Sequence, residues 1–273
     1  MKIFVELLSI LFASLAAVFV LGRWFENFNM FAPDREHSIS PEEFSLAPSE
    51  SYVPSGKKGE KIHCWFFNAG GTKTILYVHG NAGNVSDRIP VIAGYIKNGF
   101  NVFIFDYRGY GKSEGRATKS NFLEDAFTAY AHLTGEIGIP AEQIIILGQS
   151  LGGIPATRLA TQRKNRGLVL EGAFYSVREV ARDISDRFPI WILASPDLDN
   201  GRELKKLTVP LLVLHGELDG TIPFRHSALV FGAAPENSGK KQKRLVTFES
   251  GGHTDLFAID PEKYYGSINS FAE

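Results

Sequence analysis

The segment that most constrains the fold of this chain is an apolar, β-branched run that leads directly into a glycine-flanked serine. The run covers residues 144–147, the next six residues read Gly-Gln-Ser-Leu-Gly-Gly, and a helix-compatible stretch follows. A Gly-x-Ser-x-Gly sequence between a strand and a helix is typical of a sharp turn that projects the serine away from the backbone. The flanking glycines are needed because a Cβ there would collide with the neighbouring strand or helix. The pattern predicts that Ser150 is displayed as a nucleophile.

Apolar runs and amphipathic segments alternate along the chain after residue 61. This alternation predicts one domain with a mostly parallel central sheet and helices on both faces. In such a sheet the reacting groups collect on loops at the carboxyl ends of the strands. The predicted strands are 62–67, 74–78, 102–105, 144–147, 168–170, 211–214 and 245–248, and the predicted helices are 87–98, 121–134, 154–163 and 224–233.

A nucleophilic serine needs a base and an acid, because its hydroxyl is protonated at neutral pH. Asp219 lies in a turn shortly after one predicted strand, and His253 follows another predicted strand within the sequence Glu-Ser-Gly-Gly-His. The chain order serine, aspartate, histidine is the one that accompanies a strand-turn-helix serine in this architecture. We therefore predict Ser150 as nucleophile, Asp219 as acid and His253 as base.

Other interpretations of these residues stay open at this point. Glu171 ends a predicted strand at the same edge of the sheet, and Glu217 lies two positions before Asp219, so both are rival acids. Each predicted group could also have an ordinary structural role, the serine and aspartate in turns and the histidine in a solvated loop. Their joint occurrence in this order favours the catalytic interpretation.

An acyl-transfer site also needs two backbone N–H groups that stabilise the oxyanion, one of them from the residue after the nucleophile. Leu151 would supply that first donor. The second should come from the loop His-Gly-Asn-Ala-Gly-Asn at 79–84, which follows a predicted strand and contains small residues that let the backbone approach a ligand. Asn81 is the predicted donor and Ala82 the alternative, whereas His79 is expected to stabilise the turn.

Composition and the remaining motifs argue against several other functions. The formal net charge is -1, so there is no electrostatic reason to expect a nucleic-acid partner. The seven histidines and the single cysteine, Cys64, show no metal-ligand spacing, and no Gly-x-Gly-x-x-Gly opens a helix after a strand. A Gly-Lys-Ser at 111–113 lacks the phosphate-loop glycine, since Asp106 occupies that position. We expect no cofactor, metal or nucleic acid, and the oligomeric state is left open.

The N-terminus is different in kind from the rest of the chain. Residues 3–22 are almost continuously apolar, interrupted by one glutamate and two serines. A bilayer-spanning helix needs about 20 apolar residues, whereas the apolar region of a cleaved signal peptide has only about 7–15. The length favours a single-pass membrane anchor at 1–23. Small residues within it keep export after signal-peptide cleavage as the alternative, and nearly balanced flanking charges leave the orientation open.

Five motifs together resemble the α/β-hydrolase superfamily. More narrowly, they resemble its membrane-anchored α/β-hydrolase-domain branch, which includes lipid esterases, monoacylglycerol or lysophospholipid lipases and protein depalmitoylases. The resemblance covers the chain from Lys61 onward and implies the α/β-hydrolase fold. It assigns the nucleophile, acid and base to the residues already predicted above. The motifs are 79–84, 106–111, 148–153, 215–219 and His253.

These observations predict three parts and an enzymatic function. The parts are an anchor at 1–23, a lead-in segment at 24–60 and a catalytic domain at 61–273, with a short cap at about 172–209. The cap contains an apolar run, 188–193, that could line an acyl pocket, contact a membrane or pack on the core. We expect a serine hydrolase that cleaves carboxylic esters or thioesters of acyl lipids or acylated proteins. The alternatives are a serine peptidase with the same triad and a membrane-tethered binding module without turnover.

Overall fold

The apolar runs of the sequence form the strands of one large sheet. The computed structural model describes residues 30–185, 190–236 and 243–273, together with five isolated helical positions nearer the N-terminus. The strands of the eight-stranded sheet are β2 Ser49–Ser55, β3 Glu60–Phe67, β4 Thr74–Val78, β6 Asn101–Phe105, β7 Ile144–Gln149, β8 Gly167–Glu171, β9 Leu211–Gly216 and β10 Arg244–Phe248; a separate short pair consists of β1 Ala32–Pro33 and β5 Ala82–Gly83.

The strand order across the large sheet is β10-β9-β8-β7-β4-β6-β3-β2. All neighbours from β10 to β6 run parallel, and the last two pairs, β6 with β3 and β3 with β2, are antiparallel. Strands buried on both faces are expected to be apolar along their whole length. β4 and β7 meet this expectation, because every residue in each of them is buried.

Helices cover both faces of the sheet. Alternate residues of β4 divide between the two cores: Leu76 packs on one side of the sheet with the helices Lys119–Gly135 and Gly153–Gln162, and Ile75 packs on the other side with the helices Ile89–Lys97 and Pro261–Ala272. The helices are α1 Ile89–Lys97, α2 Lys119–Gly135, α3 Gly153–Gln162, α4 Val177–Ile184, α5 Asn200–Leu204, α6 Arg225–Ala233, α7 Leu256–Ile259 and α8 Pro261–Ala272. The predicted layered α/β architecture is therefore confirmed.

One sequence prediction falls mainly, and another partly, on residues that the structure does not describe. Most of the predicted anchor at 1–23 lies outside the described residues, as do 188 and 189 of the apolar run in the cap. Among the described residues, no helix combines the length and the apolar character needed to cross a bilayer. The anchor therefore stays a prediction.

Candidate active site

The three predicted catalytic side chains lie on loops at one edge of the sheet. Ser150 directly follows β7, Asp219 lies three residues after β9, and His253 lies five residues after β10. β9 and β10 are neighbours, and β8 alone separates β9 from β7. Because these strands are parallel, their carboxyl ends open onto the same edge, and side chains separated by up to 103 positions in the chain meet there.

The turn that carries Ser150 has the strained geometry predicted from its glycines. Ser150 has a φ of 52°, a left-handed value that non-glycine residues rarely adopt. A Cβ added to Gly148 would lie 2.5 Å from the Cβ of Ala156, and one added to Gly152 would lie 2.1 Å from the carbonyl oxygen of Val78. The turn closes because both flanking positions lack a side chain. Strain of this kind costs about 1–3 kcal/mol and persists where the surrounding structure fixes the backbone.

A continuous chain of hydrogen bonds connects the three side chains. His253 Nε2 lies 2.9 Å from Ser150 Oγ, and His253 Nδ1 lies 2.7 Å from Asp219 Oδ2. With the Nδ1 proton donated to the carboxylate, Nε2 is free to accept the proton of the serine hydroxyl. This arrangement can activate a serine for nucleophilic attack.

Asp219 is held as a carboxylate by several donors. Its Oδ1 accepts the backbone N–H groups of Thr221 and Ile222, both at 2.8 Å, and its Oδ2 lies 3.3 Å from Nε2 of the buried His215. Although desolvation opposes ionisation, hydrogen bonds from His215, His253 and Ile222 hold the pKa of Asp219 well below its usual range. The carboxylate therefore stays charged and fixed opposite His253.

Neither rival acid contacts the histidine. The Glu171 carboxylate is buried beneath the sheet edge, where it accepts hydrogen bonds from Gln149 at 2.9 Å and from the hydroxyl of Tyr264. Burial raises the pKa of Glu171. Glu217 is exposed, and its backbone N–H donates to the carbonyl of Phe248. Of the three carboxylates considered from the sequence, the structure places Asp219 alone in hydrogen-bond contact with His253.

The loop after β4 lies beside Ser150. A Cβ added to Gly80 would be 3.3 Å from the Cβ of Ser150, so the backbone of this loop passes directly alongside the nucleophilic turn. The Asn81 carbonyl accepts hydrogen bonds from the hydroxyl of Tyr110 at 2.7 Å and from the N–H of Ala32 at 3.1 Å. These contacts fix the Asn81–Ala82 peptide, which carries the N–H of Ala82, the alternative donor, while the carbonyl of the Gly80–Asn81 peptide, which carries the N–H of the predicted donor Asn81, lies 2.8 Å from Nδ1 of His79.

His79 is a structural residue of the same loop. Its side chain is fully buried, Nδ1 lies 2.8 Å from the carbonyl oxygen of Gly80, and its own carbonyl accepts the hydroxyl of Tyr107 at 2.8 Å. Burial lowers the pKa of His79 to about 4, so the ring is neutral at pH 7. The two tyrosines at 107 and 110 belong to the motif at 106–111, and their supporting contacts were not predicted from the sequence.

The segment between β8 and β9 is anchored to the body of the domain by polar contacts. Asp183 on α4 accepts hydrogen bonds from Arg225 at 2.8 Å and pairs with His226 Nε2 at 2.7 Å. Apolar side chains on this segment and on the turn before Asp219 nevertheless face solvent, with Ile184 74% exposed, Ile192 53% and Leu218 69%. These three side chains lie on segments that follow the carboxyl ends of β8 and β9, the edge of the sheet where Ser150 also lies.

Comparison with known proteins places the chain among hydrolases. A sequence family described as serine aminopeptidase, S33, matches residues 71–195. The chain is 29% identical to the α/β-hydrolase domain-containing protein WAV2 of Arabidopsis thaliana, over 88% of this chain and 83% of that protein. It is 34% identical to the protein bem46 of Schizosaccharomyces pombe, over 67% of this chain and 62% of that protein.

Among solved structures, the fold is similar to that of an esterase from Pyrococcus furiosus. The TM-score is 0.72 and the sequence identity 19%, with 89% of this chain and 97% of that chain covered. At this identity the likeness concerns the fold alone. The chain belongs to the α/β-hydrolase superfamily, within its α/β-hydrolase-domain branch.

Proposed function

We propose that this protein is a serine hydrolase that cleaves carboxylic esters or thioesters through an acyl-enzyme intermediate. The observation that carries the proposal is the hydrogen-bonded chain from Ser150 through His253 to Asp219, built on a serine with a φ of 52°. A merely structural serine would not need a strained backbone that brings its hydroxyl to 2.9 Å from a histidine at the edge of the sheet.

The proposed reaction has two acyl-transfer steps. Ser150 Oγ attacks the carbonyl carbon while its proton passes to His253 Nε2, and the Asp219 carboxylate stabilises the resulting imidazolium. The backbone N–H groups of Leu151 and Asn81 stabilise the oxyanion. The imidazolium then protonates the departing alcohol or thiol. A water molecule gives its proton to the same histidine and cleaves the acyl-enzyme, which releases the acid and restores the serine.

We further propose that the substrate is an acyl lipid or an acylated protein and that residues 1–23 anchor the enzyme to a membrane. The exposed Ile184, Ile192 and Leu218 support the first part, because they lie on segments that follow β8 and β9 at the carboxyl edge of the sheet, the edge where Ser150 also lies. The length of the apolar N-terminal run supports the second part. The described positions Phe4 and Phe12 within that run are helical and 66% and 76% exposed, as expected for side chains that face lipid.

A peptidase is the second candidate, because the matching sequence family is described as serine aminopeptidase. Amide cleavage needs the same nucleophile, base and oxyanion donors as ester cleavage. Rates of hydrolysis of a p-nitrophenyl ester and of an aminoacyl p-nitroanilide by the same preparation separate the two candidates. A value of kcat/KM that is higher for the amide would replace the esterase proposal with the peptidase.

Labelling with a fluorophosphonate tests the central claim. Wild-type protein should be labelled at one serine, and Ser150→Ala should abolish the labelling while leaving the circular dichroism spectrum unchanged. Ser45→Ala is the matched control, because Ser45 is exposed and has a similar left-handed φ of 56°. Folded wild-type protein that is never labelled would favour the alternative of a membrane-tethered binding module.

A series of p-nitrophenyl esters from acetyl to palmitoyl, together with a palmitoyl thioester, tests the substrate class. The exposed apolar surface predicts that long acyl chains are cleaved at least as efficiently as acetyl, since each buried CH₂ is worth about 0.8 kcal/mol. A strict preference for acetyl esters would contradict the proposal of a lipid substrate, but it would not contradict the proposed roles of Ser150, His253 and Asp219.

A further inference from the structure

A second cluster of polar side chains surrounds Asp106, at the carboxyl end of β6. The Asp106 carboxylate is fully buried, and the side chains of His37 and His63 approach the same oxygen, Oδ2. Among the described residues, the three donor atoms, His37 Nε2, His63 Nδ1 and Asp106 Oδ2, form a group within 4.8 Å of one another. We propose that this group binds a divalent transition-metal ion, with Zn²⁺ as the best-fitting one.

The two separations that involve Asp106 Oδ2 are close to those of a tetrahedral metal site. Zn²⁺ binds histidine nitrogen and carboxylate oxygen at about 2.0–2.2 Å, so neighbouring ligand atoms of a tetrahedron lie about 3.3–3.6 Å apart. His63 Nδ1 is 3.2 Å from Asp106 Oδ2, and His37 Nε2 is 3.5 Å from the same oxygen. His37 Nε2 is itself buried without a hydrogen-bond partner. Two imidazoles and one carboxylate are ligands that suit Zn²⁺.

The outer contacts of the cluster are also those of a metal site. A histidine ligand usually donates its second ring N–H to a carboxylate, which fixes the tautomer. His63 Nε2 lies 2.8 Å from Glu50 Oε1, and Lys112 Nζ contacts the same oxygen at 2.8 Å. Asp106 Oδ1, the oxygen that is not offered to the metal, accepts the backbone N–H of Val85 at 2.9 Å. Two of the three proposed ligands are thus oriented by hydrogen bonds.

An aromatic ring and a glycine border the donor atoms, and a cavity reaches the cluster at His37. The indole of Trp65 packs edgewise against both imidazoles, with ring centroids 5.1 Å from His37 and 5.3 Å from His63. Gly111 leaves room beside two of the proposed ligand atoms, because a Cβ at this position would lie 2.1 Å from Asp106 Oδ2 and 3.0 Å from His37 Nε2. A cavity of about 380 Å³, whose lining includes His37, Trp65 and Glu50, reaches one of the three proposed ligands, and the other two, His63 and Asp106, are fully buried.

The three ligands come from different parts of the chain. His37 lies in the lead-in segment, His63 on β3 and Asp106 after β6. Metal motifs are recognised in sequence by short, regular spacings, and separations of 26 and 43 residues show none. The sequence therefore indicated no metal. The proposed ion would fasten the lead-in segment to two strands of the sheet, and this role is independent of the reaction proposed for Ser150.

Metal binding to the chelator-treated full-length protein tests the proposal. Isothermal titration with ZnCl₂ should give one site per chain, and Zn²⁺ at 100 times the Kd should raise Tm by about 5–10 °C. His37→Ala should remove this site. Glu50→Gln, which leaves all three ligands in place, should weaken binding about 10–100-fold if Glu50 orients His63.

Two controls distinguish this site from adventitious binding to other histidines. His132→Ala removes a partly buried histidine of α2 whose Nε2 contacts Ser51 Oγ at 3.3 Å, and it should bind Zn²⁺ as the wild type does. His253→Ala should also retain the site, since that histidine belongs to the separate hydrogen-bonded chain at Ser150. Absence of a stoichiometric site in the wild type, or equal affinity in folded His37→Ala, would overturn the proposal.

Discussion

Replacement of Asp219 by asparagine tests how the carboxylate sets the proton positions of the candidate site. Oδ1 accepts two backbone N–H groups at 2.8 Å, so the amide oxygen of the variant must occupy that position. The amide NH₂ group then takes the place of Oδ2, 2.7 Å from His253 Nδ1. A donor at this position forces Nδ1 to be the acceptor and moves the ring proton to Nε2. The histidine can then no longer accept the proton of Ser150.

The expected loss in kcat for Asp219→Asn is about 10⁴-fold, the size of effect seen when a catalytic histidine is held in the wrong tautomer. This factor corresponds to about 5.5 kcal/mol in activation free energy. Hydrolysis of p-nitrophenyl butyrate measures it, with KM within a few-fold of the wild type because the pocket is unchanged.

Glu171→Gln is the matched control, because Glu171 is a buried acid at the end of a neighbouring strand, bonded to Gln149 and Tyr264. It should keep kcat within about tenfold of the wild type, since losing or weakening one buried hydrogen bond costs about 0.5–1.5 kcal/mol. The reasoning would be refuted if Asp219→Asn stayed within tenfold of the wild type while Glu171→Gln lost activity.

Three further predictions concern the backbone turn, the oxyanion loop and the single thiol. Ser150→Gly should be about 0.5–1 kcal/mol more stable than Ser150→Ala in urea unfolding. Glycine adopts a φ of 52° without the left-handed penalty, and the greater entropy of its unfolded chain removes only part of that gain. A more stable alanine variant would contradict the idea that the backbone at Ser150 is strained. Tyr110→Phe removes the 2.7 Å hydrogen bond to the Asn81 carbonyl and should lower kcat about 2–10-fold with little change in KM, whereas an unchanged kcat would show that the loop does not need it. Burial raises the pKa of the Cys64 thiol, so DTNB should react with it only at the rate of unfolding, and rapid reaction in native buffer would show that β3 opens locally.

The central part of the fold was predictable because its signals are local. The buried runs of β4 and β7 do not alternate with polar residues, which predicts strands buried on both faces. The glycines around Ser150 predict a tight turn, and the structure shows that a Cβ at Gly148 or Gly152 would collide with neighbouring atoms. Helix α8 was not predicted, although Asp260 and Pro261 form a readable start in which the aspartate side chain accepts the Lys263 N–H.

The parts of the site that were not predicted depend on contacts across the fold. The order of the residues predicts Asp219 as the acid, but the exclusion of Glu171 follows from which of the two neighbouring strand ends reaches His253, and no local sequence pattern determines that. The contact between His215 and Asp219 depends on the shape of a turn. The meeting of His37 with Asp106 joins residues 69 positions apart. Contacts of this kind depend on how the strands are ordered in the sheet, whereas the periodicity of apolar residues predicts single helices and strands only.

The short pair of β1 with β5 limits how far the reaction site can lie from any anchor. The pairing joins Ala32 to Ala82, and the side chain of Asn81 also donates to the carbonyl of Met30 at 3.1 Å. Ala32 lies nine positions after residue 23, and a fully extended chain spans about 30 Å over that distance at most. With 1–23 embedded in a bilayer, the loop beside Ser150 could not leave a layer of about one protein diameter above the lipid headgroups. The enzyme would then meet membrane-bound acyl groups by diffusion in two dimensions, within the same layer above the bilayer.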